Sequence, residues 1–585
     1  MKYKLIKEIN KEYNAIQQIL TNRGINFNDI HHYLNTTDQD IYEPEAFGLQ
    51  NEMKSAASVL IKTILNEANA LVVVDCDCDG FTASALLINY LYELFPAWVT
   101  NHLKWFIHEN KEHGLSDVMT YIFQKGCFDL IIVPDAGSND YEYHKELKEC
   151  GKTVVVLDHH EAEKVSENAI VINNQLSDYP NKYLSGVGVT WQFCRYIDKI
   201  MNNSKANEYL DLVALGNMAD MMSMRSIETK HLINKGFKEE NLKNPFIYGM
   251  AEKNSYSLGG KITPMGAAFY IAPFVNAMVR SGTLEEQELL FKSMLKHKAF
   301  EEILSNKRGH RPGEMEKVID QALRTATNVK NRQTRAQDAG MELIENLIEK
   351  NNMMEHKVLL FLLEPGQIDK NIAGLCANKI MAKYQRPCCI LTKVDNTYQG
   401  SARGCDKTGI NNFKDICEST GVIMYAEGHQ GAFGLGIESC FINDFIERTD
   451  EALRNTSEEP VYFVDYIYEG VNIKAEDILD IASLEDLWGK DVDESFIAIK
   501  DLRVTKEMVT LMSPDKKPTL KITLPNKVSL IKFGSNEEEY NNLLSEGYVK
   551  IDVVGRCNAN TWNGYTTAQL LIEDYQIVGQ SKYLF

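Results

Sequence analysis

Short apolar runs alternate with polar, helix-compatible stretches along much of the chain. Leu71-Val72-Val73-Val74 ends on Asp75, Leu130-Ile131-Ile132-Val133 on Pro134-Asp135, and Val154-Val155-Val156-Leu157 on Asp158. Continuous β-branched runs of this length fit strands buried on both faces, because a strand with one wet face would alternate. Residues 83–95 and 140–150 read as helices between them. The pattern therefore predicts βαβ units and a parallel sheet. The first eight residues read as an amphipathic helix without the apolar core of a signal peptide, and residues 1–55 as a whole as a polar helical segment. Residues 284–350 predict a charged helical connector broken at Gly309 to Gly313. A second α/β pattern follows, with apolar runs at 358–363 and 388–391 around a helix at 373–384. After about residue 460 the pattern turns to short strands, at 496–499, 520–524, 549–554 and 569–572. Trp562-Asn563-Gly564-Tyr565 marks a hairpin turn, and the tail reads as a small barrel or sandwich.

The fold class is thus α/β with an added β domain. The expected division is a helical segment (1–55), a parallel-sheet domain (56–283), a helical connector (284–350), a second α/β domain (351–458) and a β domain (459–585). No run of about 18 apolar residues exists, so no membrane helix is expected. The 12 cysteines include no Cys-x-x-Cys pair and often sit inside apolar runs, as Cys388-Cys389 does. That argues for free thiols in a reducing, cytoplasmic setting and against a zinc site. The net charge of −20 speaks against a broadly basic nucleic-acid surface. Its distribution weakens that objection. Residues 295–340 carry 10 Lys and Arg against 6 Asp and Glu, and residues 488–585 carry 12 against 13. Lys330, Arg332 and Arg335 of the connector read either as a solvated helix face or as a track for a strand.

The candidate chemistry lies where apolar runs end. Asp75-Cys76-Asp77-Cys78-Asp79-Gly80 places three carboxylates at i, i+2 and i+4 directly after a buried strand. Like charges so close are costly unless a cation pairs with them. An acidic loop or a calcium loop is the plain alternative, but a calcium loop wants further oxygen ligands downstream, and Phe81-Thr82-Ala83-Ser84 starts a helix instead. Asp135 and Asp158-His159-His160 end the next two runs, at the edge where open α/β sheets place their sites. One such Asp could be a helix cap; three consecutive strand ends carrying acid and imidazole are harder to explain so. Asp220, after the apolar stretch 212–219, is a fourth candidate and weak alone. Mixed carboxylate and imidazole ligands suit manganese or magnesium. Two such ions sharing one carboxylate can activate water and clamp a phosphate.

In their order, these motifs resemble the DHH phosphoesterase superfamily, whose name reads out here as Asp158-His159-His160. Within it the chain is similar to the RecJ single-stranded-DNA exonucleases. Gly186-Val187-Gly188-Val189, the stretch Leu210 to Gly216, and Pro273, Asn276 and Arg280 carry the likeness. Gly400-Ser401-Ala402-Arg403 and Gly428-His429 resemble the associated DHHA1-like substrate-binding domain, and the tail resembles the OB-type barrel of the family. The resemblance implies metal ligands at Asp77, Asp79, Asp135, His159 and Asp220, with Asp135 bridging two Mn2+ or Mg2+ ions and Asp75 as an extra ligand. It implies that His160 contacts the substrate phosphate and that Arg280, Ser401, Arg403 and His429 hold phosphates near the 5′ end. Where the family has Arg this chain has His108, Phe274 replaces another Arg, and Glu427 replaces a Gly beside His429. These departures touch the terminal-phosphate contacts and leave the metal ligands intact.

The implied function is a 5′→3′ exonuclease that releases nucleoside 5′-monophosphates from single-stranded DNA, or RNA, in repair, recombination or replication. A monomer is expected, working beside a single-strand-binding protein or a helicase. Two alternatives share the core: a hydrolase of short oligonucleotides or cyclic dinucleotides, and an inactive replication scaffold. The added barrel disfavours the first. The full ligand set disfavours the second.

Overall fold

A computed structural model describes residues 1–108, 113–405, 408, 410, 412–456, 461–470, 472–513, 517–544, 546–562 and 564–581. The chain opens on a strand, β1 (Lys2–Leu5), where the sequence predicts an amphipathic helix. Lys2 and Lys4 are exposed while Tyr3 and Leu5 are half-buried. That is a period of two, which so short a segment cannot separate from a helical stripe. By internal packing the chain divides into two units, Arg23–Lys330 with Leu484–Glu494, and Met1–Asn22 with Asn331–Ser483 and Ser495–Phe585.

The first unit is built on five parallel strands: β2 (Ala70–Val74), β3 (Leu103–Ile107), β4 (Leu130–Pro134), β5 (Thr153–Asp158) and β6 (Ile170–Asn173). Their order is β3-β2-β4-β5-β6. β2 and β4 are buried throughout, as their unbroken apolar runs require. One face packs Val73, Ile131, Val133 and Val156 against Leu115 and Ile122. On helix α1 (Cys78–Leu94) every residue from Cys78 to Leu91 is buried. A helix without a polar stripe needs cover all round; helices α3 (Gly186–Met201) and α4 (Leu210–Ala219) both pack on it. The chain leaves β2 for β3 on one side and returns to β4 on the other. The loops after β2 and β4 therefore part at the carboxyl ends of the strands, which is where an open α/β sheet has a crevice.

Helix α2 (Tyr141–Glu149), between β4 and β5, carries a buried histidine that supplies a stability prediction. His144 is fully buried, with Nδ1 3.1 Å from Ser166 Oγ, and burial pushes its pKa down to about 4. An unfolded histidine titrates near 6.5. The unfolded chain therefore takes the proton first, and the stability that the neutral ring contributes is complete above pH 6.5 and is lost as pH falls toward 4. The shift corresponds to roughly 3 kcal/mol. The melting temperature should fall more steeply between pH 7 and 4.5 for the native chain than for His144→Phe, which has no proton to take up there.

The predicted connector is helical only at its ends, Leu284–Met294 and α5 (Val318–Lys350). Between them β7 (Glu302–Leu304) and β8 (Met315–Lys317) pair antiparallel. Gly309 and Gly313, at φ 80° and 78°, lie in the loop joining them, so the break at those glycines is a hairpin.

In the second unit, strands β9 (Leu359–Leu363), β10 (Cys388–Val394), β11 (Thr397–Arg403), β12 (Ile423–His429) and β13 (Ala432–Glu438) form a sheet in the order β12-β13-β11-β10-β9. Only β9 and β10 are parallel. One face packs Cys389, Ala402, Phe433 and Leu435, and the other packs Phe361 and Ile390 against helix α6 (Lys370–Tyr384). The tail begins with β14 (Val461–Val464), the parallel partner of β1. Met1, Tyr3 and Leu5 pack there on Val464, Ala498 and Val554. A seven-stranded mixed sheet follows, formed by β15 (Tyr466–Glu469), β16 (Phe496–Val504), β17 (Val509–Met512), β18 (Thr519–Thr523), β19 (Ser529–Phe533), β20 (Tyr548–Trp562) and β21 (Tyr565–Ser581). Trp562 pairs with Tyr565, giving the predicted two-residue hairpin; Asn563 of that turn lies outside the described residues. Residues 484–494 belong to the first unit, where Lys490 O accepts from Met224 N and Asp493 O accepts from Arg23 Nε. Among the described residues no helix is long and apolar enough to cross a membrane.

Candidate metal centre

The crevice at the strand ends collects the predicted acids and imidazoles. After β2, Asp77 takes extended backbone angles and caps α1, its Oδ1 accepting from Gly80 N at 2.9 Å. That cap turns Asp75, Asp77 and Asp79 around one corner. Asp79 is buried and reaches the N-terminus of α3. It accepts from Ser185 Oγ at 3.0 Å, Gly186 N at 2.7 Å and Val187 N at 3.2 Å, where unpaired amides and the helix dipole favour an anion. Burial, then the charge of Asp77, still push its pKa up to about 6. Asp135, after β4, is held at φ 65°, a left-handed conformation that Asp tolerates better than most residues. Burial first, then the charges of Asp79, Asp77, Asp75 and Asp220, raise its carboxyl far above the ordinary range.

His159 lies between two acids. Its Nε2 is 3.3 Å from Asp135 Oδ1 and 3.3 Å from Asp220 Oδ2. Burial drives its pKa down to about 4, keeping the ring neutral. Asp220 caps the C-terminal end of α4, and burial followed by the charges of Asp79 and Asp77 raises it to about 8. The first Asp of the Asp-His-His motif has a different task. Asp158 accepts from Ser138 N at 3.0 Å, His159 N at 2.7 Å and His160 Nδ1 at 2.8 Å. Burial alone would raise its carboxyl, but the hydrogen bond and charge of His160 outweigh it and hold Asp158 well below the usual range. In turn, burial would lower His160, and Asp158 overrides it to about 9.

Three donor groups overlap here: Asp135, His159 and His160; Asp79, His159 and Asp220; Asp75, Asp77 and Asp135. Within each, the ligand atoms lie within 4.8 Å of one another. Among the described residues, Asp135 Oδ1 and His159 Nε2 are buried without a hydrogen-bond partner. Buried orphans are rare and costly, and a lone pair on a neutral imidazole beside converging carboxylates is what a divalent cation takes up. The residues fit two hard or borderline ions with oxygen and nitrogen ligands. Two glycines make room for the acids. A Cβ on Gly186 would collide with the Asp135 carboxyl, and one on Gly216 with Asp79 Oδ1.

The predicted substrate residues fall into separate places. His108 follows β3 at the same crevice edge but is fully buried, with Nδ1 2.6 Å from Asp117 Oδ1 and Nε2 without a partner among the described residues. Arg280 is exposed on the last turn of the Ala272–Ser281 helix. In the second unit, Ser401 and Glu427 flank Gly434 across three strands, and Arg403 and His429 flank Ala432. Strand alternation puts all four on one face of the sheet. Asn378 Oδ1 on α6 accepts from Arg403 Nε at 2.8 Å. Sequence reasoning missed Asn378 and also His113, whose Nδ1 lies 2.8 Å from Asp75 Oδ2. His113 directly precedes Gly114-Leu115, but a single loop histidine carries no periodic signal.

The family model for the DHH family, N-terminal domain, matches residues 69–217, and that for the RecJ OB domain matches residues 465–574. The chain is 33% identical over 591 residues to an SPbeta prophage-derived protein of Bacillus subtilis (strain 168) provisionally named single-strand DNA-specific exonuclease YorK, spanning 99% of this chain and 98% of that one. The chain belongs to the DHH family, among its RecJ-like exonucleases. The single-stranded-DNA-specific exonuclease RecJ of the same bacterium is 26% identical over 561 residues, which are 93% of this chain and 65% of that protein. RecJ from Thermus thermophilus, solved in complex with Mn2+, shares the fold, with a TM-score of 0.69 at 16% identity over 100% of this chain and 80% of that chain. Membership makes the chain a metal-dependent nuclease that hydrolyses phosphodiester bonds, and the DHH match covers each donor of the crevice except Asp220.

Proposed function

We propose that this chain is a 5′→3′ exonuclease on single-stranded DNA that releases nucleoside 5′-monophosphates with the help of two divalent ions, Mn2+ or Mg2+, in DNA repair, recombination or replication. The observation that carries this reading is the overlap of the three donor groups, with Asp135 common to two of them. The two proteins named above as single-strand DNA-specific exonucleases support the substrate. Solved RecJ neighbours carrying Mn2+ or Mg2+ support the ions. Asp77, Asp79, Asp135, His159 and Asp220 would hold the ions, with Asp75 as a further ligand. When bound, the ions would supply Lewis-acid activation of a water and neutralise charge on the phosphate. Ser185 and the α3 amides fix Asp79, and Asp158 fixes the His160 ring through Nδ1, leaving the other ring nitrogen to meet a phosphate oxygen. Hydrolysis at a 5′-phosphorylated end breaks the bond between phosphorus and the 3′ oxygen of the terminal nucleotide. Water ends on phosphorus, the departing 3′ oxygen takes a proton, and the next nucleotide keeps a 5′ phosphate for another cycle.

Polarity requires a stop that registers the terminus, and Arg280, Ser401, Arg403 and His429 are its candidates, with His108. A single strand labelled at each end in turn tests this. Release of the 5′ label first, as monophosphate, is expected, with Arg403→Ala slowing it. Digestion from the 3′ end, or cuts in a circular strand, would contradict the polarity. Preferential cleavage of dinucleotides over long strands would favour the short-oligonucleotide alternative.

A further inference from the structure

His113 sits at the mouth of the crevice. Its Nδ1 lies 3.0 and 2.8 Å from the two oxygens of Asp75. Asp75 is buried, while the His113 side chain is 61% exposed. The charges of Asp75, Asp77 and His160 act on His113. On the other flank, at the end of β5, His160 is built the same way, an exposed imidazole with Nδ1 tied to the buried Asp158. The two carboxylates differ in what else binds them. Asp158 is also held by the backbone amides of Ser138 and His159. Asp75 has no other side-chain hydrogen bond among the described residues, yet it belongs to the donor group with Asp77 and Asp135. Facing two like charges, an untethered carboxylate would swing away from them.

We propose that His113 is a positioning residue of the metal centre, holding the Asp75 carboxylate where it joins Asp77 and Asp135 around one divalent ion. The proposal rests on the metal-centre reading above. Groups that orient a ligating carboxylate in this way commonly govern metal affinity by 10- to 100-fold. His113 has no assigned contact to substrate, so its effect should pass through the metal.

The test titrates Mn2+ into the metal-stripped full chain and into His113→Ala and His113→Asn, following free Mn2+ by electron paramagnetic resonance, with far-ultraviolet circular dichroism to check folding. His113→Ala should bind one Mn2+ about 10- to 100-fold more weakly. His113→Asn, whose amide nitrogen can replace Nδ1 as donor, should stay within about threefold of the native chain. At saturating Mn2+, His113→Ala should regain native kcat and KM for single strands. Native Mn2+ affinity in His113→Ala, or an Asn variant as weak as the Ala variant, would overturn the proposal. A native chain that binds no Mn2+ would overturn the metal-centre reading, and the proposal with it.

Discussion

Replacing Asp135 with Ala should lower the rate of single-strand digestion by at least about 10³-fold, some 4 kcal/mol of barrier, while the chain stays folded. Asp135 is the one carboxylate shared by two of the three donor groups, so its loss unties both. The fold does not depend on it in the same way. In the metal-free chain Asp135 is a buried acid that burial, then the charges of Asp79, Asp77, Asp75 and Asp220, raise far above the ordinary range, so its removal takes away a polar group that is costly to bury there. The opposing term is backbone strain, because Ala at φ 65° costs roughly 1 to 2 kcal/mol more than a residue at ease there. These effects have opposite signs. The melting temperature of the metal-free variant should therefore stay near that of the native chain. A rate within tenfold of native would remove Asp135 from the centre of the site.

Gly186→Ala should cut the rate by about 10²-fold although the added methyl touches no substrate. A Cβ at this position would fall 2.5 Å from Asp135 Cβ and closer still to its carboxyl oxygen. Something must move, and the neighbour is not the far end of a flexible chain but a short Asp fixed by its own backbone. Gly186 also donates its amide to Asp79 Oδ2 at 2.7 Å, so a shift of the first turn of α3 disturbs two acids together. A displacement near 1 Å at a reacting centre commonly costs about that factor. The accompanying loss of stability should be about 1 to 3 kcal/mol, the usual range for overpacking. Steady-state rates, Mn2+ affinity and thermal melting separate the two effects. Native rate and native Mn2+ affinity in a folded Gly186→Ala would show that the two elements are looser than this packing implies.

Much of the first unit was legible because β2, β4 and nearly all of β5 are buried. Runs such as Leu71 to Val74 cannot be amphipathic helices, and the acid that ends each run names the carboxyl edge. The donors of the crevice followed from that edge together with the family resemblance. Other features gave no such signal. β1 is four residues long, and its pairing with β14 spans most of the chain, so no local window reveals it. The hairpin of β7 and β8 interrupts a helical pattern with strands of three residues each. Residues 484–494 return to the first unit through contacts by Lys490 O and Asp493 O, which are backbone atoms that any sequence carries. The separate task of Asp158 was hidden for a different reason. In sequence it is one more acid beside two histidines, and only its hydrogen bonds to Ser138, His159 and His160 mark it as the residue that orients the others. His113 reaches Asp75 from a loop, where residue type alone does not predict a partner.

On the proposed function, the acids and imidazoles at the ends of β2, β4 and β5 form the metal centre that cleaves the strand. The most direct measurement is a Mn2+ titration of the metal-stripped chain, with bound ion and release of a 5′-labelled monophosphate followed in the same samples. Two Mn2+ bound per chain, no release without them, activity that rises with occupancy, and loss of both in Asp135→Ala are the predicted result. Full release from the stripped chain, or native Mn2+ binding by Asp135→Ala, would contradict it.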